Sequence, residues 1–470
     1  MATTRGKYTR PCDACAVRKV RCNTQNPCDR CIAHKIICSY DRPRRKSGPK
    51  RLREKTRAQV DALAKQVAVM VDHSVEPKFT PEQLLPFLHL YQTYYYGIYP
   101  VVLVPELSVR ILAVPSDMTA YTLAVSIAAA VSIQIQFLTS PPTLLVVPDG
   151  FDPIKFGIET KQMIYQLDLN GTPLVDAVLI YFFMYVHLIN VKGGISAGIA
   201  YLRQAIATAQ ILRLDVESTY AQLTPARAHV LRKVFYLLLV TERFISISHR
   251  MPPILESMIA HPRLADEEYQ QLLNGFGELV KVFSIPHKLF FDLIIQYGVG
   301  LKELRRQWVI DVQFQLQLIE VSDDMSETQK LNLLLLKYWM EMLCWHMCNR
   351  QGILVDKTHG FDLLLVLFPI HVAYSFLEDT SSLSLFAFES NGPGVCIKLC
   401  ELGIGLCDLI SLLHDDESHT RNIAHHCLLL IFSLVTRLRN DLTFPNHLYQ
   451  RIEAMVTLGL SFGVDESTFF

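Results

Sequence analysis

Most of the chain beyond residue 80 places apolar residues three or four positions apart, which is the spacing of an α-helix. The stretch 229–249 illustrates it with Val230, Val234, Leu237, Leu238, Phe244 and Ile245. Prolines separate stretches of helix length, and Thr80-Pro81-Glu82-Gln83 has the residues of a helix start with a capping box. The pattern therefore predicts a large all-α domain over residues 76–470.

A different apolar pattern precedes this body. Val60, Leu63, Val67 and Met70 step by three, four and three residues, which are the a and d positions of a heptad repeat. Two heptads are short for an independent coiled coil. We therefore expect over 54–75 either a short helix that forms a homodimer or an amphipathic helix that docks on the body.

The charges divide the chain into a basic start and an acidic remainder, although the formal net charge is zero. Residues 1–57 hold 17 Lys and Arg against 4 Asp and Glu, so the other residues hold 28 against 41. Residues 41–53 add two prolines and a glycine to this basic start and are predicted to be an extended linker. A polyanionic partner is indicated at the N-terminal end.

Six cysteines occupy the first 38 residues with the spacing C-x2-C-x6-C-x5-C-x2-C-x6-C: Cys12, Cys15, Cys22, Cys28, Cys31 and Cys38. Two tetrahedral zinc ions need eight ligand bonds, which six thiolates supply only if two of them bridge. The spacing therefore predicts a cluster of two Zn²⁺ ions in a domain that spans residues 1–40.

Other uses of these cysteines are less favoured. Residues 1–10 carry three basic residues and no apolar stretch follows, so we expect no secretory leader and metal ligands rather than a disulfide knot. A zinc ribbon with one ion would use four of the cysteines and leave Cys22 and Cys38 idle. The repeated x6 spacing argues against it.

These segments resemble a known family. Residues 12–22, 26–31 and Cys38 are similar to the fungal Zn2Cys6 DNA-binding domain over about a tenth of the chain. The resemblance implies that Cys12 and Cys28 bridge. Cys15 and Cys22 would then complete one zinc site, and Cys31 and Cys38 the other. Five residues separate Cys22 from Cys28, where many relatives have six.

The body carries its own resemblance. Residues 231–244 and 249–253 are similar to the regulatory domain of fungal transcription factors, and with 280–286 and 391–395 they resemble regulators of maltose and sucrose utilisation. The resemblance implies a nuclear RNA polymerase II transcription factor that works with the transcription machinery. Its expected role is to activate disaccharide-utilisation genes.

The basic residues are the expected DNA contacts. By resemblance Arg18 and Lys19 read CGG-like half-sites of double-stranded DNA, because Arg and Lys can bond the O6 and N7 acceptors of guanine. Phosphate contacts are expected from Arg21, Arg30, Lys35, Arg44, Arg45 and Lys46. A nuclear localisation signal is expected from Arg42, Arg44, Arg45, Lys46, Lys50 and Arg51. Compensation of the cluster's negative charge and a merely solvated linker are the alternative interpretations.

The sequence has no phosphate-binding G-x-x-x-x-G-K-[ST], no G-x-S-x-G and no H-E-x-x-H motif, so we predict that the protein is no enzyme. Cys344 and Cys348 lie among apolar neighbours and are expected in a core helix. Glu242 and Arg243 are expected to form a satisfied polar pair within an apolar helix. The apolar stretches 119–137 and 178–191 are interpreted as buried helices, with no membrane partner.

Four alternatives remain open: a repressor, an adaptor whose partner contacts DNA, a regulator of another carbon-metabolism pathway, and an enzyme with a zinc-cluster targeting head.

Overall fold

The structure, a computed structural model, describes nine stretches of the chain: 10–43, 77–139, 151–169, 174–263, 269–295, 306–354, 365–414, 417–438 and 445–461. The chain forms two compact units, residues 1–76 and 77–470. We call them the head and the body and describe each by itself. The predicted helix over 54–75 lies outside the described residues, as do linker residues 44–53.

The described part of the head, residues 10–43, contains two five-residue helices, α1 (Asp13–Val17) and α2 (Asp29–Ala33), each with a cysteine at its N-cap. The side chains buried at its centre are cysteines. Large apolar side chains lie on its surface, as in Val17 and Ile37, which are 77% and 87% exposed. The described residues of the head, 10–43, are therefore not held together by a hydrophobic core.

The described residues of the body are helical and contain no β-strand. The helices are α3 (Pro81–Leu90), α4 (Val104–Ala113), α5 (Met118–Ile135), α6 (Pro153–Gln166), α7 (Val175–Ile189), α8 (Ile195–Ile211), α9 (Pro225–His249), α10 (Gln270–Ser284), α11 (Lys288–Ile295), α12 (Arg306–Gln317), α13 (Glu327–Gln351), α14 (Phe368–Thr380), α15 (Leu385–Ser390), α16 (Gly394–Leu412), α17 (Ser418–Arg437) and α18 (Asn446–Ser461). The prediction of a small zinc-cluster domain plus an all-α body is confirmed.

Local sequence signals explain where several of these helices begin. The backbone N–H of Thr80 donates to Gln83 Oε1 at 2.8 Å, which completes the capping box predicted for α3. Helix α13 starts with a second such box at Ser326 and Gln329. Helix α9 begins with Thr224 as N-cap and Pro225 in its first turn.

Helices from both the earlier and the later part of the body contribute buried apolar side chains. In the first half α7 packs against α5 and α8. In the second half α13, α14, α16, α17 and α18 share one core, in which Trp345 is fully buried. Cys344 and Cys348 are also fully buried on α13, which confirms their expected place in a core helix.

One described helix, α5, is long and apolar enough to cross a membrane by length and composition. In the folded body 83% of that helix is buried among other helices. Burial of this kind is typical of the central helix of a large helical domain, and it matches the interpretation made from the sequence.

Candidate zinc centre and DNA-facing surface

Four cysteine sulfurs meet where α1 and α2 begin. Cys12 and Cys28 are the N-caps of the two helices, and Cys15 and Cys31 follow one turn later. The turn brings each pair together, as the backbone N–H of Cys15 shows by donating to Cys12 Sγ at 3.4 Å. All four Sγ atoms lie within 4.8 Å of one another, and all four residues are buried.

The distances between these sulfurs suit a shared metal cluster. Cys12 Sγ lies 3.6 Å from the sulfurs of both Cys28 and Cys31, and Cys28 Sγ lies 3.5 Å from that of Cys15. Four thiolates that bind one zinc ion at about 2.3 Å are about 3.8 Å apart at the corners of a tetrahedron. Cys12 and Cys28 therefore occupy the central positions of the group, each within 3.6 Å of two sulfurs of the opposite helix.

Cys22 and Cys38 flank the group and pack against it. The backbone N–H of Thr24 donates to Cys22 Sγ at 3.4 Å, and that of Cys28 donates to Cys38 Sγ at 3.4 Å. Backbone donors therefore hold both sulfurs beside the group. The head thus offers six sulfur donors, which fits the two Zn²⁺ ions predicted from the spacing.

The pKa values of the clustered thiols also favour a cation among the sulfurs. Burial and the contacts with Cys12 and Cys28 together raise the pKa of Cys15 to about 12. Burial acts in the same direction on Cys28, but the backbone N–H and the thiol of Cys31 outweigh it and lower its pKa to about 6. Thiolates this close repel one another unless a cation balances them, and bound Zn²⁺ deprotonates its thiols outright.

The two halves of the head repeat one backbone path. After α1 the chain passes through Arg18 to Lys19, which has a left-handed φ of 54°. After α2 it passes through His34 to Lys35, which has a φ of 51°. The next N–H in each half then bonds back to a cysteine carbonyl, Val20 to Cys15 at 3.1 Å and Ile36 to Cys31 at 3.0 Å. Lys19 and Lys35 are therefore equivalent positions.

The predicted DNA contacts within the described part of the head are all exposed: Arg18, Lys19, Arg21, Arg30 and Lys35. Their charges therefore face outward, away from the sulfurs. The other predicted contacts, Arg44, Arg45 and Lys46, lie outside the described residues, as do Lys50 and Arg51 of the expected localisation signal.

Asp13 was missed by the sequence reasoning. Its Oδ2 accepts hydrogen bonds from Ser39 Oγ at 3.0 Å and from the backbone N–H of Asp41 and Arg42 at 2.7 and 3.2 Å. These bonds tie the start of the linker to α1. An acidic residue directly after a cysteine N-cap was the available signal, but its partners lie 26 residues or more away along the chain.

The body contributes no second metal centre within the ranges described: Cys12, Cys15, Cys28 and Cys31 form the group close enough to share an ion. The expected pairing of Glu242 with Arg243 is wrong. Both are 1% exposed, but neighbouring side chains on a helix point in different directions, so each has its own partners. Glu242 accepts from the backbone N–H of Ile254 and Leu255 at 2.9 and 2.8 Å.

Comparisons with known proteins agree with this geometry. Residues 10–47 match the model of the fungal Zn(2)-Cys(6) binuclear cluster domain. The chain is 38% identical over 456 residues to a protein named "Probable sucrose utilization protein" of Candida albicans, which covers 96% of this chain and 88% of that protein.

Two relatives from Saccharomyces cerevisiae are more distant. A maltose fermentation regulatory protein is 25% identical over 479 residues, with 96% of this chain and 95% of that protein covered. A respiratory transcription factor is 25% identical over 432 residues, with 90% of each chain covered.

Proposed function

The chain belongs to the fungal Zn2Cys6 transcription factors related to the sucrose and maltose utilisation regulators, and on that basis we propose that it activates disaccharide-utilisation genes. The observation that carries the proposal is the likeness over nearly the whole chain to a sucrose utilisation protein, together with six sulfur donors in the head. Genome-wide occupancy is the direct test, because the bound promoters name the pathway.

A second pathway has one specific observation in its favour. A relative named a respiratory transcription factor is 25% identical to this chain, as is the maltose fermentation regulatory protein. Regulation of another branch of carbon metabolism is therefore the competing candidate. Occupancy at respiratory genes without occupancy at genes for disaccharide uptake or hydrolysis would favour that candidate. Reporter expression in cells that lack the protein separates an activator from a repressor.

For the head we propose that Cys12 and Cys28 bridge two Zn²⁺ ions. Cys15 and Cys22 complete one site, and Cys31 and Cys38 complete the other. The central position of Cys12 and Cys28 among the sulfurs supports this assignment. Zinc analysis of the purified protein should give two ions per chain, and one ion per chain would contradict it.

For DNA we propose that Arg18 and Lys19 contact bases of CGG-like half-sites, while Arg21, Arg30, Lys35 and linker residues Arg44, Arg45 and Lys46 contact phosphates. Zinc should confer on the head the fixed shape that a groove-reading module needs, and its exposed cations suit a polyanion. Two copies would bind as a homodimer through residues 54–75, and the body would contact the transcription machinery.

Lys19→Ala tests the base contact, and Lys35→Ala is its matched control at the equivalent backbone position. We expect Lys19→Ala to reduce the difference in binding free energy between the CGG site and a scrambled site by about 1–3 kcal/mol. Lys35→Ala should weaken binding to both DNAs alike. An unchanged ratio for Lys19→Ala, measured by fluorescence anisotropy at fixed salt, would contradict the assignment.

We further propose a nuclear location directed by the basic residues from Arg42 to Arg51, and no catalytic activity. The relatives named as regulators support both. A fluorescent fusion should lose nuclear accumulation when Arg44, Arg45 and Lys46 become Gln. Purified protein should leave maltose and sucrose unhydrolysed.

A further inference from the structure

A cavity of about 560 Å³ opens in the body beside α9. One wall is the chain segment that follows α9, residues 250–263, and the other is the end of α10 with the turn into α11. Its volume lies within the range of about 300–1,000 Å³ that is usual for small-molecule sites. Of the ten lining residues that the structure describes, only Met258 and Ile285 are apolar, so the cavity suits a polar ligand.

The floor of this cavity holds a buried cation. Arg243 is 1% exposed, and among the described residues no carboxylate lies within ion-pair distance of its guanidinium group. Its Nη1 donates to the carbonyl oxygens of Phe283 and Pro286, the latter at 3.1 Å, and the guanidinium lies 4.7 Å from the Phe291 ring centre. Burial lowers the pKa of Arg243 to about 10, although the negative charges of Glu242 and Glu256 oppose the change.

A structural role explains the contacts of Nη1 of Arg243 but not the environment of its Nε. Its Nη1 satisfies carbonyls at the end of α10, as basic residues commonly do at a helix C-terminus. Within the described part of the chain its Nε has no hydrogen-bond partner, and neither does the buried Oγ of Ser284, which also lines the cavity. Buried polar atoms without partners destabilise a fold unless a ligand satisfies them.

The wall opposite α10 is held in place by side chains of the body. Glu242 accepts from the N–H groups of Ile254 and Leu255, and Tyr236 Oη lies 3.1 Å from Ser257 Oγ. Further along, the N–H of Ala260 donates to Glu217 at 2.8 Å. The cavity is therefore preformed, and ligand binding would not have to order this segment.

The charged and hydroxyl groups that line the cavity suit a ligand with both an anionic group and hydroxyls. Lys281 and Lys288 stand with Arg243 on one side and attract an anionic group. Glu256, His261 and Ser257 offer hydrogen bonds on the other side, which suit the hydroxyls of a polyol. Lys281 and Lys288 also pair with Glu278 and Asp292 on their own helices. Among the described residues, Arg243 is therefore the cation of the cavity that has no carboxylate partner.

We propose that this cavity binds a sugar phosphate, with the phosphate beside Arg243, Ser284 and Lys281 and the sugar hydroxyls toward Glu256 and Ser257. The helical body is thereby a sensor of a small anionic metabolite. This inference concerns a site in the body and does not depend on the DNA target proposed above, so either can fail without the other.

The test is isothermal titration calorimetry on the purified full-length, zinc-loaded protein. The probes are glucose 6-phosphate, fructose 6-phosphate and trehalose 6-phosphate, with inorganic phosphate and glucose as the two partial ligands. We expect saturable binding of at least one sugar phosphate, weaker binding of inorganic phosphate and none of glucose at the same concentration.

Variants then locate the binding. Lys281→Glu should weaken the affinity about tenfold or more, as loss of a charge-assisted hydrogen bond predicts. Ser284→Ala should weaken it several-fold. The matched control is Lys161→Glu, which reverses an exposed lysine on α6 and should change nothing.

Four results would overturn the proposal. They are no saturable binding of any of the three sugar phosphates, equal binding of glucose, equal binding of inorganic phosphate, and full affinity in both Lys281→Glu and Ser284→Ala. Because both substituted side chains lie at the rim or in a partly exposed position, these variants are expected to fold even if Arg243→Ala does not.

Discussion

Replacing Glu341 by glutamine should make the stability of the helical body less dependent on pH. Glu341 lies on α13 and is 2% exposed, and its Oε1 has no hydrogen-bond partner among the described residues. Burial raises the pKa of this carboxyl from 4.5 to about 7, although Lys337 one turn earlier acts to lower it. Between pH 4.5 and about 7, Glu341 therefore keeps its proton in the folded protein and loses it in the unfolded chain.

The magnitude follows from this difference in pKa. Each pKa unit corresponds to about 1.4 kcal/mol, so the rise from 4.5 to about 7 amounts to about 3 kcal/mol. Since the folded-state pKa is the higher one, this stabilisation is fully present below pH 4.5 and is lost as the pH rises through about 7. Glutamine does not titrate and lacks this loss.

Urea unfolding followed by circular dichroism at pH 5, 6, 7 and 8 measures the effect. The free energy of unfolding of Glu341→Gln minus that of the unsubstituted protein should grow with pH, by about 3 kcal/mol over the whole titration. Glu453→Gln, at an exposed position on α18, is the control and should show a constant difference. A constant difference for Glu341→Gln as well would refute the reasoning, because the carboxyl would then be ionised in the folded protein.

Two further predictions concern the body. The hydrogen-bonded side chain of Arg232 lowers the pKa of Glu217 to about 2. The ionised Glu217 therefore stabilises the fold above pH 4.5, and this stabilisation is lost as the pH falls toward 2. The unfolding midpoints of Glu217→Gln and of the unsubstituted protein should accordingly differ at pH 7 and converge at pH 2–3. Gly405→Ala should destabilise the body by about 1–3 kcal/mol in urea unfolding, because its new Cβ would overlap Met342 Sδ in the core. The Cβ of Gly277→Ala would meet no atom of the described residues within 4 Å, so this change should instead stabilise α10 by about 0.5–1 kcal/mol. Equal effects of the two alanines would contradict the packing argument.

The cysteine spacing and the helical periodicity were sufficient to predict the zinc cluster and the all-α body. The capping box at Thr80 was also readable, because all of its partners lie within four residues. The cysteine spacing, the helical periodicity and the capping box each depend on residues that are close together in the sequence, so they can be recognised without the fold.

Contacts between distant segments were not readable from the pattern. Glu242 and Arg243 look like one polar pair in the sequence, but Glu242 holds the segment after α9 while Arg243 reaches 40 residues ahead to the end of α10. The role of Asp13 and the left-handed backbone at Lys19 and Lys35 were missed for the same reason. Each depends on how the chain folds back on itself.

The sulfur-filled interior of the head has a consequence for the cell. With Val17 and Ile37 on the surface, folding of the head draws its free energy from metal ligation, which grows with the logarithm of the free zinc concentration. The helical body has its own hydrophobic core and does not share this dependence. In a zinc-starved cell the protein would keep a folded body while its head unfolds, so access to promoters would follow the supply of a nutrient metal.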